Sequence, residues 1–184
     1  MLRHRTETEL EAGLNHIRCS PKDSGVLVLI SRRPRVEERE VLEEAEISLT
    51  EGLVGDNWKT RGSSRTSDGS AHPDLQLTLM NSRMIGLLAD ERQHWALAGD
   101  QLFIDLDLSA HNLPPGTQLE IGTAIIEITA YPHAGCKKFG ARFGPEALKF
   151  VNSPLGKELQ LRGLNAKVVR PGKVRVRDVV RKHA

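Results

Sequence analysis

From residue 102 onward the chain is punctuated by short apolar segments and glycine or proline turns, with no regular helix between successive segments. Leu102-Phe103-Ile104-Asp105-Leu106-Asp107-Leu108 places apolar residues at alternate positions, the period of a half-buried strand, with Asp105 and Asp107 facing outward. Residues 119–131, broken by Gly122-Thr123, form a tight hairpin, and the β-branched Ile125, Ile126, Ile128 and Thr129 favour strand over helix. Residues 161–169 and 173–180 are expected to make a closing antiparallel pair joined by the Arg170-Pro171-Gly172 turn. The absence of regular strand–helix–strand alternation argues against a parallel sheet. The predicted fold is mainly β with a few helices (α+β): a small, partly closed antiparallel β-barrel with peripheral helices. The 184 residues suffice for one core burying about two-thirds of the unfolded surface, so a single domain is expected over 1–184.

The first half adds the helices. Residues 6–17 carry Leu10, Leu14 and Ile17 at helical spacing, with Thr8 or Glu9 near the start and Pro21 beyond the end. Residues 25–31 are a continuous apolar run of strand length closed by Arg32-Arg33-Pro34, which predicts a buried strand. Across 36–49 the glutamates at 37, 38, 40, 43, 44 and 46 line a solvated face and have a structural role. Residues 59–74 lack apolar periodicity and form a long loop, either a functional lid or disordered. Residues 75–79 alternate as a strand, after which Asn81 or Ser82 caps a helix directing Ile85, Leu88 and Trp95 toward the core. Gly144 and Pro145 open another short helix over 145–151.

Charge narrows the partners. Lys and Arg total 26 against 24 Asp and Glu, a net charge of +2, which gives no basis for nucleic-acid or membrane binding and requires any basic site to be local. Two cysteines are too few for a disulfide framework and fit a reducing cytoplasm. No apolar run approaches the roughly 20 residues of a membrane helix. Met1-Leu2-Arg3-His4-Arg5 lacks the apolar stretch of a signal peptide, so a cytoplasmic location is expected. Neither a glycine-rich phosphate loop nor paired C-x-x-C motifs occur, which removes nucleotide and structural-zinc readings.

Chemistry is expected at Tyr131-Pro132-His133-Ala134-Gly135-Cys136-Lys137-Lys138-Phe139, where a thiol follows the hairpin on a turn beside two cations. A thiolate is the nucleophile and metal ligand, and neighbouring Lys or His charges lower a cysteine pKa from about 8.5 toward neutrality. Cys136 is therefore a candidate soft-metal ligand or sulfur carrier. The alternative is a small buried hydrophobe, since cysteine is among the residues most often buried.

The run Leu113-Pro114-Pro115-Gly116-Thr117, Leu119-Glu120-Ile121-Gly122, Ile125-Ile126-Glu127-Ile128-Thr129 and His133-Ala134-Gly135-Cys136, then Arg162-Gly163 and Pro171-Gly172-Lys173-Val174, resembles the MOSC family, the C-terminal domain of molybdenum cofactor sulfurases, which also exists as stand-alone proteins. Ser20-Pro21, Arg32-Arg33-Pro34 and Glu51-Gly52-Leu53-Val54-Gly55-Asp56-Asn57-Trp58 are similar to the opening of small bacterial members, so the resemblance covers nearly the whole chain. It implies a barrel fold and binding of the molybdenum cofactor (molybdopterin) with Cys136 as metal ligand and catalytic residue. A soft thiolate suits a thiophilic metal. For the anionic tail the nearest cations are Lys137, Lys138, Arg142 and Arg162, and strand alternation would select Lys138 from the lysine pair. His133 could hydrogen-bond a sulfur or oxo group or lie unpartnered at the surface, and Asp100-Gln101 could bind pterin nitrogens or simply form a turn. The chain departs from many stand-alone relatives in following Gly55-Asp56 with Asn57-Trp58-Lys59-Thr60 rather than a histidine-glycine-glycine element, and it lacks a cysteine desulfurase domain.

Three functions fit these features: a molybdenum-dependent reductase of N-hydroxylated or related N–O compounds, with a small-molecule substrate and an external redox partner; a non-catalytic carrier of cofactor or sulfur that works with a cofactor-delivering protein; and a β-barrel binding module in which Cys136 is structural.

Overall fold

The computed structural model describes residues 2–183. In chain order its elements are α1 (Glu7–Arg18), β1 (Ser24–Arg32), β2 (Glu40–Leu42), β3 (Glu44–Ser48), β4 (Gly52–Leu53), α2 (Trp58–Arg61), β5 (Leu77–Asn81), α3 (Ser82–Leu88), β6 (Leu102–Asp105), β7 (Gln118–Ile121), β8 (Ala124–Ile128), α4 (Lys137–Phe143), α5 (Pro145–Asn152), α6 (Pro154–Glu158), β9 (Leu164–Arg170), β10 (Gly172–Arg175) and β11 (Val179–Lys182). Two 3-10 segments, Pro73–Leu75 and Arg92–Ala98, flank β5 and α3.

Seven strands in the order β11-β7-β8-β9-β5-β6-β1 form a barrel that closes where β1 pairs with β11, Gly25 opposite Val180. The barrel predicted from sequence is therefore present and fully closed. All its pairings are antiparallel except β5–β6. β2 extends the sheet from β1, and β10, β3 and β4 make a separate small sheet. Closure removes the exposed edges that an open sheet presents to other chains.

Two apolar layers result. Leu27, Ile30, Leu79, Ile104, Ile126 and Val180 belong to the core shared by the barrel strands. Leu10, Met80, Met84, Phe103, Phe139 and Phe143 fill the space between one flank of the barrel and the helices. β5 and β6 contribute to both layers, so β5 is buried at every position rather than alternating with solvent. In β1 a bulge against β6 between Leu27 and Leu29 shifts the side-chain phase: Leu27 and Ile30 join the barrel core while Leu29 faces the helices. The run expected to be wholly buried leaves Val26 exposed at 41 %.

Local signals place the helix ends. Thr6 and Glu9 form a reciprocal capping box on α1, which places the cap at the first residue of the 6–17 segment expected from sequence. The Asn81 side chain accepts from the N–H groups of Arg83 and Met84, and Ile85 and Leu88 are buried as expected, whereas Trp95 lies beyond α3 in the second 3-10 segment. Half-buried Asp105 holds the Arg83 guanidinium, Nε to Oδ1 2.7 Å, a structural pairing.

One pairing differs from expectation. β10 does not pair with β9; it lies against β3, Gly172 opposite Ile47. Both edges of β9 are taken by β8 and β5, which leaves β10 to find an edge elsewhere. The predicted strand over 173–180 is also interrupted by a turn at 176–178, where Arg177 has φ 80°. Among the described residues no helix is long and apolar enough to cross a membrane.

Candidate functional site

The cysteine turn begins after β8 ends at Ile128, and seven residues in neither helix nor strand lead to Cys136, which heads α4. The strand therefore does not itself position the thiol. Asn152 at the end of α5 fixes the turn instead: the Gly135 N–H donates to its Oδ1 at 2.9 Å, and its Nδ2 donates to the Gly135 carbonyl at 3.1 Å. A Cβ at residue 135 would stand 2.8 Å from Val151 Cγ2 and 2.9 Å from Leu148 Cδ1, so glycine is what permits this close approach. Cys136 is exposed and unbonded to another cysteine, which overturns the buried-hydrophobe alternative. Lys137 and Lys138 lie on a helix rather than a strand, so opposite-face alternation does not separate them; both are exposed.

One turn after Cys136, Phe139 is buried, and the Arg162 guanidinium lies 4.9 Å from its ring centroid. Arg162 Nη1 donates to Asp100 Oδ2 at 2.6 Å, and His133 Nε2 meets Asp100 Oδ1 at 2.9 Å. The structure thus joins three sequence-predicted residues, His133, Asp100 and Arg162, in one chain beneath the cysteine helix, with Asp100 and Arg162 buried and His133 half-buried. Burial pushes the Asp100 carboxyl up, but Arg162 and His133 outweigh it and hold it at about 2. Burial and Arg162 push His133 down against the pull of Asp100. Neutral His133 therefore donates Nε2–H to the Asp100 carboxylate, which leaves Nδ1 with a lone pair.

The 3-10 segment ending at Ala98 presents three successive carbonyls, each held by a different arginine. Arg142 Nη1 donates to Leu97 O at 2.7 Å, Arg162 Nη2 to Ala98 O at 3.0 Å and Arg33 Nη1 to Gly99 O at 3.1 Å. Helix C-terminal carbonyls lack intrahelical partners, and cations suit them. Gly99, at φ 86°, turns the chain there so that Asp100 enters the interior. Gln101 follows, fully buried, its Oε1 accepting from the Thr78 N–H and hydroxyl while its Nε2 has no partner.

Lys138 and Arg142 share the Glu37 carboxylate at 2.8 and 2.7 Å. Arg33 forks both oxygens of buried Asp56 at 2.9 Å, and Arg39 and Arg61 complete the cationic rim. Sequence reasoning assigned no site role to Arg33, Arg39, Arg61, Asp56, Glu37 or Asn152. The available signals were the Arg32-Arg33-Pro34 turn and Gly55-Asp56, both in the segments resembling family members. The 59–74 loop reaches the same turn: Arg65 stacks 4.7 Å over Tyr131, and His72 packs edge-on to it. A groove of about 570 Å³ beside β1 and β2, lined by Val26, Val28, Val41 and Val176, contains none of these groups.

The model of the MOSC domain matches residues 66–181, more than half of the chain. Among solved structures, YuaD from Bacillus subtilis is similar at TM-score 0.64 and 14% identity, over 88% of this chain and 96% of that one. YiiM from Escherichia coli is similar at TM-score 0.55 and 20% identity, over 86% and 70%, and YiiM from Geobacillus stearothermophilus at 0.51 and 12%, over 87% and 73%. These likenesses support the shared fold. No curated protein matches the sequence.

Proposed function

Because this chain belongs to the MOSC domain family, which is associated with the molybdenum cofactor, we propose that it binds that cofactor through Cys136 and reduces N-hydroxylated or related N–O compounds with electrons from an external donor. The observation carrying this reading is an exposed free thiol at the head of α4, the helix that carries Arg142 and whose Phe139 packs on the Arg162 guanidinium. The donor set suits the group. A thiolate is a soft ligand for the metal, guanidinium forks suit an anionic tail, and the buried Arg162 Nε and Gln101 Nε2 retain unused donors. When bound, the group supplies a metal-centred two-electron redox couple.

The chain's residues have separable tasks. Cys136 would ligate the metal, while Asn152 and Gly135 hold the ligand turn in place. Arg162 and Asp100 hold the His133 tautomer, so that Nδ1 could take a proton from solvent and pass it to the substrate oxygen; cleavage of the N–O bond takes up two electrons from the external donor and two protons, the second from water, and releases the amine and water. Arg33, Arg142 and Lys138 provide the positive rim, whether the anion is the tail or the substrate.

The ligand assignment is tested by molybdenum content after expression in a cofactor-competent, molybdenum-replete host. Cys136→Ser is expected to fold yet lose the metal, because a hydroxyl is a much poorer soft-metal ligand. Cys19→Ser, at the exposed end of α1, should retain it. Equal molybdenum in wild type and Cys136→Ser would defeat the proposal. The same exposure of Cys136 suits a carrier that passes cofactor or sulfur to another protein. Turnover of N-hydroxy compounds with an artificial electron donor identifies the reductase, whereas loaded but inactive protein identifies the carrier.

A further inference from the structure

The groove of about 570 Å³ lies where β1 changes partner, from β11 at Val26 to β2 at Ile30. Val26, Val28, Val41 and Val176 line it. Val179 stands opposite Val26 across the barrel seam, and cross-strand neighbours share a face, so it belongs to the same surface. Val26, Val41 and Val179 are 41%, 53% and 53% exposed, which makes them three of the six exposed large apolar side chains among the described residues. Apolar residues scattered singly on a surface are ordinary, but a cluster on one face marks a contact.

Two unpaired charges of opposite sign line the same groove. Neither Glu43 nor Arg177 has an ion-pair partner among the described residues, whereas the neighbouring Glu44 is held by Arg175. The backbones of both are fixed: the Arg177 N–H donates to the Leu27 carbonyl at 2.8 Å, and the Glu43 carbonyl accepts from the Val176 N–H at 2.9 Å. Although these backbones adjoin, the two side chains do not pair with each other. The third charge at the groove, Arg92, is already engaged, since it donates to the Val28 carbonyl and lies 5.6 Å from the Trp95 ring centroid.

The occupant must be broad. Small-molecule pockets enclose most of their ligand, while these valines stand so far into solvent that a small ligand would stay wet on one side. The charges select which broad partner fits. A patch of one sign repels its own copy, but a patch carrying both signs is complementary to itself about a two-fold axis.

We propose that this valine face is the interface of a two-fold dimer of the chain, in which the valines of the two copies pack together and Glu43 of each copy pairs with Arg177 of the other. The groove contains none of the cysteine-site residues, so the inference stands independently of the cofactor reading.

The test is sedimentation equilibrium of the full chain over a concentration series at low salt, where the wild type should be dimeric. Val41→Lys, which puts a charge among the valines, should weaken association at least tenfold. Glu43→Arg and Arg177→Glu each set like charges against one another across the axis and should do the same, while Lys59→Glu, outside the groove, should leave the dimer unchanged. Mixing the Glu43→Arg and Arg177→Glu proteins in equal amounts restores both ion pairs and should recover the dimer, a result that misfolding of either variant could not give. Wild-type protein that stays monomeric at every concentration overturns the proposal, as does a dimer indifferent to Val41→Lys or a mixture that remains monomeric. Monomeric wild type that binds octanoate in a calorimetric titration would also overturn it and assign the groove to a small ligand.

Discussion

Asp100 has a side chain with no solvent exposure, and Arg162 and His133 are the groups that keep it ionised there. Removing one partner of a buried pair strands a charge, so Arg162→Ala should cost about 3–5 kcal/mol in chemical denaturation. The double variant Arg162→Met with Asp100→Leu should be less destabilised than Arg162→Ala alone, because it leaves no unpaired charge. Acid acts in two windows. His133 is pushed below its ordinary 6.5 by burial and Arg162, so as pH falls through 6.5 the unfolded chain takes a proton that the folded one refuses, and stability declines. His133→Gln should flatten that part of a melting-temperature profile between pH 7 and 5; an unchanged slope would contradict the assignment. Asp100 contributes on the order of 2 kcal/mol above its unfolded value near 3.8, lost as pH falls from there toward about 2. At this scale the sequence located Asp100, His133 and Arg162 but could not show that they bond to one another. Arg33 carried only the signal of the Arg32-Arg33-Pro34 turn, and nothing local distinguishes Arg39 from a solvated arginine; the fold alone brings both to the Gly99 turn.

The helices α4 and α5 act as a clamp on the cysteine turn, with Asn152 as its contact. Asn152→Ala leaves the Gly135 N–H and carbonyl without these partners and should cost about 1–3 kcal/mol. Hydrogen exchange should accelerate at 133–136 while β8 and β9 keep their protection; uniform acceleration would mean a global effect instead. Gly135→Ala forces a methyl against Val151 and Leu148 and should cost about 1–3 kcal/mol as overpacking. Elements with local determinants were legible: the Gly122-Thr123 turn joins Ile121 and Ala124 across a two-residue loop, Asn81 caps α3, and Pro145 opens α5. Where the choice was non-local, sequence failed. The partner of β10 depended on β9 having no free edge, and the path from β8 to Cys136 is set by α5, which comes later in the chain.

Over the whole molecule the decisive contact joins β1 to β11, with Ser24 opposite Arg181 and Val26 opposite Val179. Deleting residues 179–184 would leave β1 and β7 each with an unpaired edge, and such edges recruit other chains. The truncated protein should elute as oligomers in size-exclusion chromatography; a stable monomer would show that the barrel tolerates an open seam. Contacts so distant in sequence make folding slow, since the entropy of closing the loop precedes any gain from the contact. During synthesis β1 leaves the ribosome roughly 150 residues before its closing partner, on the order of ten seconds at ordinary elongation rates. For that interval the apolar Leu27 and Ile30 have no sealed barrel to enter, so the nascent chain carries unburied apolar strand surface until the last strand emerges.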